Sequence, residues 1–269
     1  MRILADIGGT KTRIAASADG ASFGTPVIID TPPVYVDGLA TFTDAARILS
    51  KNGAIEAVGI GIKGVLSEDG RSVSTAPQNV LRDWKGKPLA DDIARALGGT
   101  VTLENDTALV GLGEAVFGAG KGADIVVYIT VSTGVNGVRI VNGVVERGHA
   151  EIGGQYLQVG DTSTSLEDLI SGSAISEKYG VHPKEIDKDS PVWEELARIT
   201  AFGVHNAILH WSPHRVVLGG SMFNDIGIPV PRVHYHVQRI MRKFPTTPEI
   251  VHSALGDIGG LWGALALLR

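Results

Sequence analysis

Two segments of this 269-residue chain repeat one another. Leu4-Ala5-Asp6-Ile7-Gly8-Gly9-Thr10 and Tyr128-Ile129-Thr130-Val131-Ser132-Thr133-Gly134 each read as an apolar strand running into a small polar turn. Each is followed by a second strand, Thr12 to Ser17 or Gly137 to Val141, and then by a hairpin dipeptide, Asp19-Gly20 or Asn142-Gly143. A duplicated unit of this kind points to two α/β lobes built on one plan, because each copy needs its own layer of helices to cover its apolar strands.

The intervening pattern supplies those layers. In the first part, strands are expected at 3–7, 12–17, 26–31, 57–62 and 101–103, with helices at 39–52, 88–97 and 107–117. In the second, strands are expected at 125–131, 137–141 and 215–218, and helices at 165–179, 191–210, 232–243 and 261–268. No low-complexity linker separates the halves, so structured crossings should join them. The expected boundaries are an N-terminal α/β lobe over 1–105, completed by the terminal helix 258–269, and a larger C-terminal α/β lobe over 106–257.

Composition narrows the chemistry. The chain has no cysteine, which removes disulfides, thiolate metal sites and cysteine nucleophiles together. Its net charge of -5 is spread without a basic block, which argues against nucleic acid as a partner. No apolar run approaches the ~18 residues of a membrane span, and the chain enters a strand at once without signal-peptide architecture. The expected location is cytoplasmic, with no membrane partner.

The 35 glycines are neither periodic nor pooled. They cluster where strands end, at Gly8-Gly9, Gly134 and Gly219-Gly220. Successive backbone N–H groups in a tight turn make a concave anion site, and missing side chains let a polyphosphate approach. Ordinary hairpins needing glycine for positive φ are the alternative for any one of these turns. Three such turns at strand ends favour a nucleotide. Asp106, between strand 101–103 and helix 107–117, is a candidate acid–base residue where α/β ligand crevices form, and equally a candidate helix N-cap.

In order along the chain, Asp6-Ile7-Gly8-Gly9-Thr10-Lys11-Thr12, Glu104-Asn105-Asp106, Ser132-Thr133-Gly134-Val135-Asn136-Gly137, Ala150-Glu151-Ile152-Gly153, Leu166-Glu167 with Ser171-Gly172, and Val217-Leu218-Gly219-Gly220 resemble the motifs of the ROK (repressor, open reading frame, kinase) family of sugar kinases. The resemblance covers nearly the whole chain. It implies the actin-like ATPase fold, two ribonuclease-H-like α/β lobes with an interlobe cleft, and ATP-dependent phosphorylation of a hexose or N-acetylhexosamine.

The resemblance also implies residue roles. Asp106 is the general base; Asn79, Asn105, Glu151 and Glu167 bind sugar hydroxyls, with His149 a further approach to the sugar. Gly8, Gly9, Thr10, Lys11 and Thr12 form the first phosphate loop, Thr133 and Gly134 the second, and Gly219 and Gly220 the turn beside the adenosine. Asp6 matches the strand-end carboxylate that helps to hold Mg²⁺. Family members are often dimers, so a homodimer is a possible assembly.

Departures from the pattern are equally specific. The family histidine that follows Glu-Ile-Gly is Gly154 here, and with no cysteine the structural zinc module is not expected. The proline that usually precedes glycine in the 59–64 loop is replaced by Lys63. His149-Ala150-Glu151 alone is like half of a zinc deaminase motif, but the required cysteines do not exist. His210 and His214 are separated by Pro213, which breaks the helical face a ligand pair needs. The competing function is a sugar-responsive regulator of the same family, disfavoured by the short segment ahead of Asp6; a catalytically weak scaffold is a third reading, resting on Gly154. The resemblance does not choose among hexoses and N-acetylhexosamines.

Overall fold

The structure is a computed structural model that describes residues 1–75, 80–146, 150–159 and 161–269. In chain order the first half contains β1 (Arg2–Ile7), β2 (Lys11–Ser17), β3 (Val27–Asp30), α1 (Tyr35–Leu49), β4 (Ala57–Ile62), β5 (Val65–Leu66), β6 (Val73–Thr75), α2 (Leu89–Leu97), β7 (Thr100–Asn105) and α3 (Asp106–Val116). There follow β8 (Ile125–Val131), β9 (Val135–Val141), β10 (Val144–Val145), β11 (Tyr156–Val159), β12 (Thr162–Ser165), α4 (Leu166–Ile170), α5 (Gly172–Tyr179), α6 (Val192–Trp211), β13 (Arg215–Gly219), α7 (Val230–Ile240), β14 (Glu249–His252) and α8 (Gly259–Leu267).

The duplication is visible in the strand orders. One five-stranded sheet runs β3-β2-β1-β4-β7 and the other β10-β9-β8-β13-β14. In both, the first three strands form an antiparallel meander and the last two add in parallel. The chain divides into two compact units, Met1–Val116 with Leu255–Arg269, and Phe117–Ala254. This break differs from the boundary expected at 105/106, because α3 packs within the first unit against α8.

The first unit explains that packing. On one face of its sheet, Ile3, Ala5 and Ile7 stand beside Val58, Ile60 and Ile62, all buried in a core completed by Tyr35, Phe42 and Ile93 of α1 and α2. On the other face β4 offers Ala57, Gly59 and Gly61, level with Arg2, Leu4 and Asp6. A Cβ at Gly59 would lie 2.8 Å from the Ala264 carbonyl, and one at Gly61 2.5 Å from Leu109 Cδ2. The missing side chains let α8 and α3 lie directly on the strand. The helices meet through glycines as well: a Cβ at Gly263 would sit 1.7 Å from the Leu109 carbonyl. Apolar over its whole sequence, α8 is buried along most of its length, as a helix with no polar face must be.

In the second unit Val127, Ile129 and Val131 of β8 pack against α6, whose buried residues recur at helical spacing from Trp193 through Leu196, Thr200 and Val204 to Ile208. The helix expected over 165–179 is two helices broken at Ser171, whose Oγ accepts from Ala174 N at 3.2 Å and caps the second. Where the zinc module was not expected, β11 and β12 form a hairpin. Among the described residues no helix is long and apolar enough to cross a membrane.

Candidate functional site

In the first unit the site lies at the ends of β1, β4 and β7. Ile7, Ile62 and Asn105 share one register row, so Gly8, Lys63 and Asp106 follow side by side as the strands end. The bond from Lys63 N to Ile7 O, 3.2 Å, carries the ladder one step past the strand end. Asn105 Oδ1 accepts from Ala108 N at 3.1 Å, and its Nδ2 donates to Gly64 O at 2.9 Å. Asn105 is therefore the residue that caps α3 and ties it to the end of β4. Asp106, weighed from the sequence as the cap, instead begins the helix and accepts at Oδ1 from Thr107 N at 2.8 Å.

Asp6 is near enough to Asp106 for the two charges to oppose each other. Burial, then the Asp106 charge, push the Asp6 carboxyl up to about 6, with Arg13 on the neighbouring strand pulling it down in part. Asp106 is likewise raised by burial, against its bond to Thr107 and the nearby Lys63 ammonium. Gly260 of α8 makes room for this arrangement, since a Cβ there would lie 2.6 Å from Asp6 Oδ2. Two carboxyls that resist ionising, at adjacent strand ends, suit proton transfer and cation binding alike.

The first turn divides the residues assigned to it. Gly8 N donates to Lys11 O at 3.0 Å, and a Cβ at Gly9 would meet Val80 at 2.8 Å. Neither glycine has a positive φ, so space rather than hairpin strain is what demands them. Thr10 is exposed at the tip. Lys11 reaches across the hairpin to pair with Asp30, and Thr12 is buried with its Oγ1 2.8 Å from Thr31 Oγ1. The side chains of Lys11 and Thr12 thus serve the hairpin and the core, and the Gly8 N–H closes the turn on Lys11 O.

In the second unit the turn Ser132-Thr133-Gly134 is held from several sides. Gly172 N donates to Ser132 O at 2.7 Å, Ser173 N to Thr133 O at 3.4 Å and Ser221 N to Ser132 Oγ at 3.0 Å. Glu167 Oε2 accepts from Val135 N at 2.7 Å, close against Gly134. Gly153 packs on the Val135 carbonyl, where a Cβ would stand at 2.2 Å, so the exposed Glu151 is carried to the same turn. Gly220 has φ +96°, and a Cβ there would lie 2.4 Å from Val131 O. Only glycine satisfies both conditions, and Gly219-Gly220 thereby reaches the turn. A Cβ at Gly154 meets nothing within 4 Å. Asn79 and His149 lie outside the described residues.

A cavity of about 450 Å³ opens beside this turn. Hydroxyls of Ser132, Thr133, Ser173, Ser176 and Ser221 line it, with Met222 and Ile226 as apolar wall and His182-Pro183-Lys184 as rim. Among the described residues no carboxylate lines it, which suits an anionic ligand with one flat apolar part. Sequence reasoning located Thr133 but missed Ser173, Ser176 and the 182–184 rim. A signal for the serines lay in the Ser171-Gly172 motif; the rim has no local signature.

With this geometry in view, comparison with known proteins is direct. A glucokinase of Streptomyces coelicolor is 27% identical, the match covering 98% of this chain and 96% of that protein. An N-acetyl-D-glucosamine kinase of Histophilus somni is 26% identical, covering 97% of each. The ROK family glucokinase of Streptomyces griseus, solved with glucose and AMPPNP, superposes with a TM-score of 0.79 at 25% identity, covering 99% of this chain and 98% of that one. The two lobes are those of the actin-like ATPase fold. The ROK family profile matches residues 3–269, and the chain belongs to the ROK family.

Proposed function

We propose that this ROK protein transfers the γ-phosphoryl group of ATP to a hydroxyl of a hexose or N-acetylhexosamine. The observation that carries the reading is the row Gly8, Lys63, Asp106 with Asp6 beside it: a glycine turn and a lysine next to a half-buried carboxylate. The 450 Å³ cavity of the second unit, with no carboxylate among its described lining residues, suits the nucleoside and phosphates. Relatives over the full length of the chain are glucokinases and N-acetylglucosamine kinases, which supports both sugar classes.

The chemistry follows from these groups. Asp106 accepts the proton of the attacking hydroxyl, the sugar oxygen bonds to the γ-phosphorus, and the bond to the β,γ-bridging oxygen breaks with its electron pair leaving on ADP. Burial raises the proton affinity of Asp106, which makes it a better base once ionised. The Gly8-Gly9 backbone and the Ser132-Thr133-Gly134 turn hold phosphate oxygens, while Glu151 and Glu167 offer acceptors to sugar hydroxyls. Among the described residues no three His, Asp or Glu side chains cluster to hold a metal alone. Asp6, whose charge is opposed by Asp106, would be the residue to hold Mg²⁺, and the ion would offset phosphate charge.

A panel of hexoses and N-acetylhexosamines with coupled ADP detection tests the reading. Sugar-dependent ADP release by the wild type and its loss, by ~10³-fold or more, in Asp106→Ala with an unchanged melting curve are expected. Retained turnover in that variant removes Asp106 as the base.

A further inference from the structure

Lys63 is the residue of the row that the family resemblance does not account for, since the pattern has proline there. Its backbone is held on two sides: Lys63 N bonds to Ile7 O, and the next residue, Gly64, accepts from Asn105 Nδ2. Gly64 has φ +128°, and a Cβ on it would lie 2.3 Å from Thr75 O, so the turn that places Lys63 is fixed by close backbone contact. Yet among the described residues the half-buried Lys63 ammonium has no carboxylate within 4 Å. A cation on a clamped segment, level with an anion turn on one side and a carboxylate on the other, is placed for an anionic ligand.

Resting on the kinase reading above, we propose that Lys63 is a catalytic residue whose ammonium hydrogen-bonds the transferring phosphoryl group between the Gly8-Gly9 turn and Asp106. As the sugar oxygen bonds to phosphorus and the bond to ADP breaks, the hydroxyl proton goes to Asp106. Lys63 stays protonated throughout, donating N–H bonds to equatorial oxygens whose charge is greatest in the transition state. Its ammonium is a compact charge with three donors on a flexible stem, able to follow the phosphoryl group as it moves. The proline of the family pattern cannot supply this contact.

The test compares wild type, Lys63→Met, Lys63→Gln and Lys63→Arg on the best sugar of the panel. The neutral variants should lose kcat by ~30-fold or more, within the range for removing one charge-stabilising donor. KM for sugar and for ATP should stay within about threefold. Lys63→Arg should recover about tenfold of the loss. Affinity for ADP with aluminium fluoride and sugar, a mimic of the transferring group, should fall in parallel with kcat while affinity for ADP alone holds. Two neutral variants guard against one misfolding, with melting curves as the check. An active wild type whose folded neutral variants keep kcat within threefold overturns the proposal alone. A wild type inactive on every sugar overturns the kinase reading and this proposal with it.

Discussion

Replacing Asp6 by asparagine should stabilise the ligand-free protein while abolishing its activity. In the native chain the carboxyl is opposed first by burial and then by the Asp106 charge, and its pKa rises from 3.8 to about 6. Each unit corresponds to about 1.4 kcal/mol, so the ionised group costs the native state up to about 3 kcal/mol at neutral pH. Partial exposure and solvent screening bring the expected figure to about 1–2 kcal/mol. Because the native pKa lies above the unfolded one, the native state binds more protons between the two values. Stability from this group is therefore fully present below pH 3.8 and is lost as pH rises through about 6. Urea unfolding of wild type and Asp6→Asn, without nucleotide or divalent metal, reads the difference directly. The variant should lead by about 1–2 kcal/mol at pH 7.5, and the lead should shrink steadily as pH falls from 6 toward 4. A variant less stable than wild type at pH 7.5, or a lead that does not depend on pH, would refute the account.

The helix pair and the second turn give two further expectations. Gly263→Ala gains about 1 kcal/mol of helix propensity but forces a methyl group into the Leu109 carbonyl, an overpacking of about 3 kcal/mol or more. A thermal melt should show a net loss of several degrees, whereas Gly154→Ala, whose methyl meets open space, should stay within about 0.5 kcal/mol of wild type. Glu167→Ala leaves Val135 N without its charged acceptor and should loosen the Ser132–Gly134 turn. Calorimetric affinity for AMPPNP should drop about tenfold, or about 1.4 kcal/mol. Unchanged nucleotide affinity with a raised sugar KM would restrict Glu167 to the sugar.

Most of the fold was legible because its signals are local, and the misses share one cause. The strand Ala57–Ile62 has the expected bounds, an apolar run between polar segments. The helix expected from Leu39 begins at Tyr35 instead. Tyr35 N donates to Asp83 Oδ2 at 2.9 Å, a cap supplied from far along the chain that no local pattern announces. The strand Glu249–His252 escaped notice because it is short and exists by pairing with Arg215–Gly219. At the site, the glycine turns, Asp6 and Asp106 were readable as strand-end motifs. The hairpin roles of Lys11 and Thr12 were not, because Asp30 and Thr31 reach them only through the sheet. The 182–184 rim likewise joins Thr133 only in three dimensions.

The duplication also explains how one plan yields two kinds of site. Register pairs Asp6 with Gly61 and Gly61 with Glu104 in the first sheet. In the second sheet Thr130 pairs with Gly219, and Leu218, one step before, pairs with His252. The strand-end positions equivalent to Asp6 and Glu104 are therefore Thr130 and Ser253, acids in one copy and hydroxyls in the other. In the first copy burial and the Asp106 charge raise the Asp6 carboxyl, and on the proposed kinase reading Asp6 and Asp106 would serve as cation anchor and base. With hydroxyls at these two positions, and no carboxylate among the described residues lining its cavity, the second copy suits a polyphosphate better than the first. The glycine beside each admits a large side chain against the strand, Leu109 at Gly61 and Tyr128 at Gly219. On the proposed kinase reading, one scaffold of converging strand ends serves both copies, and substitutions at equivalent positions divide proton chemistry from anion binding.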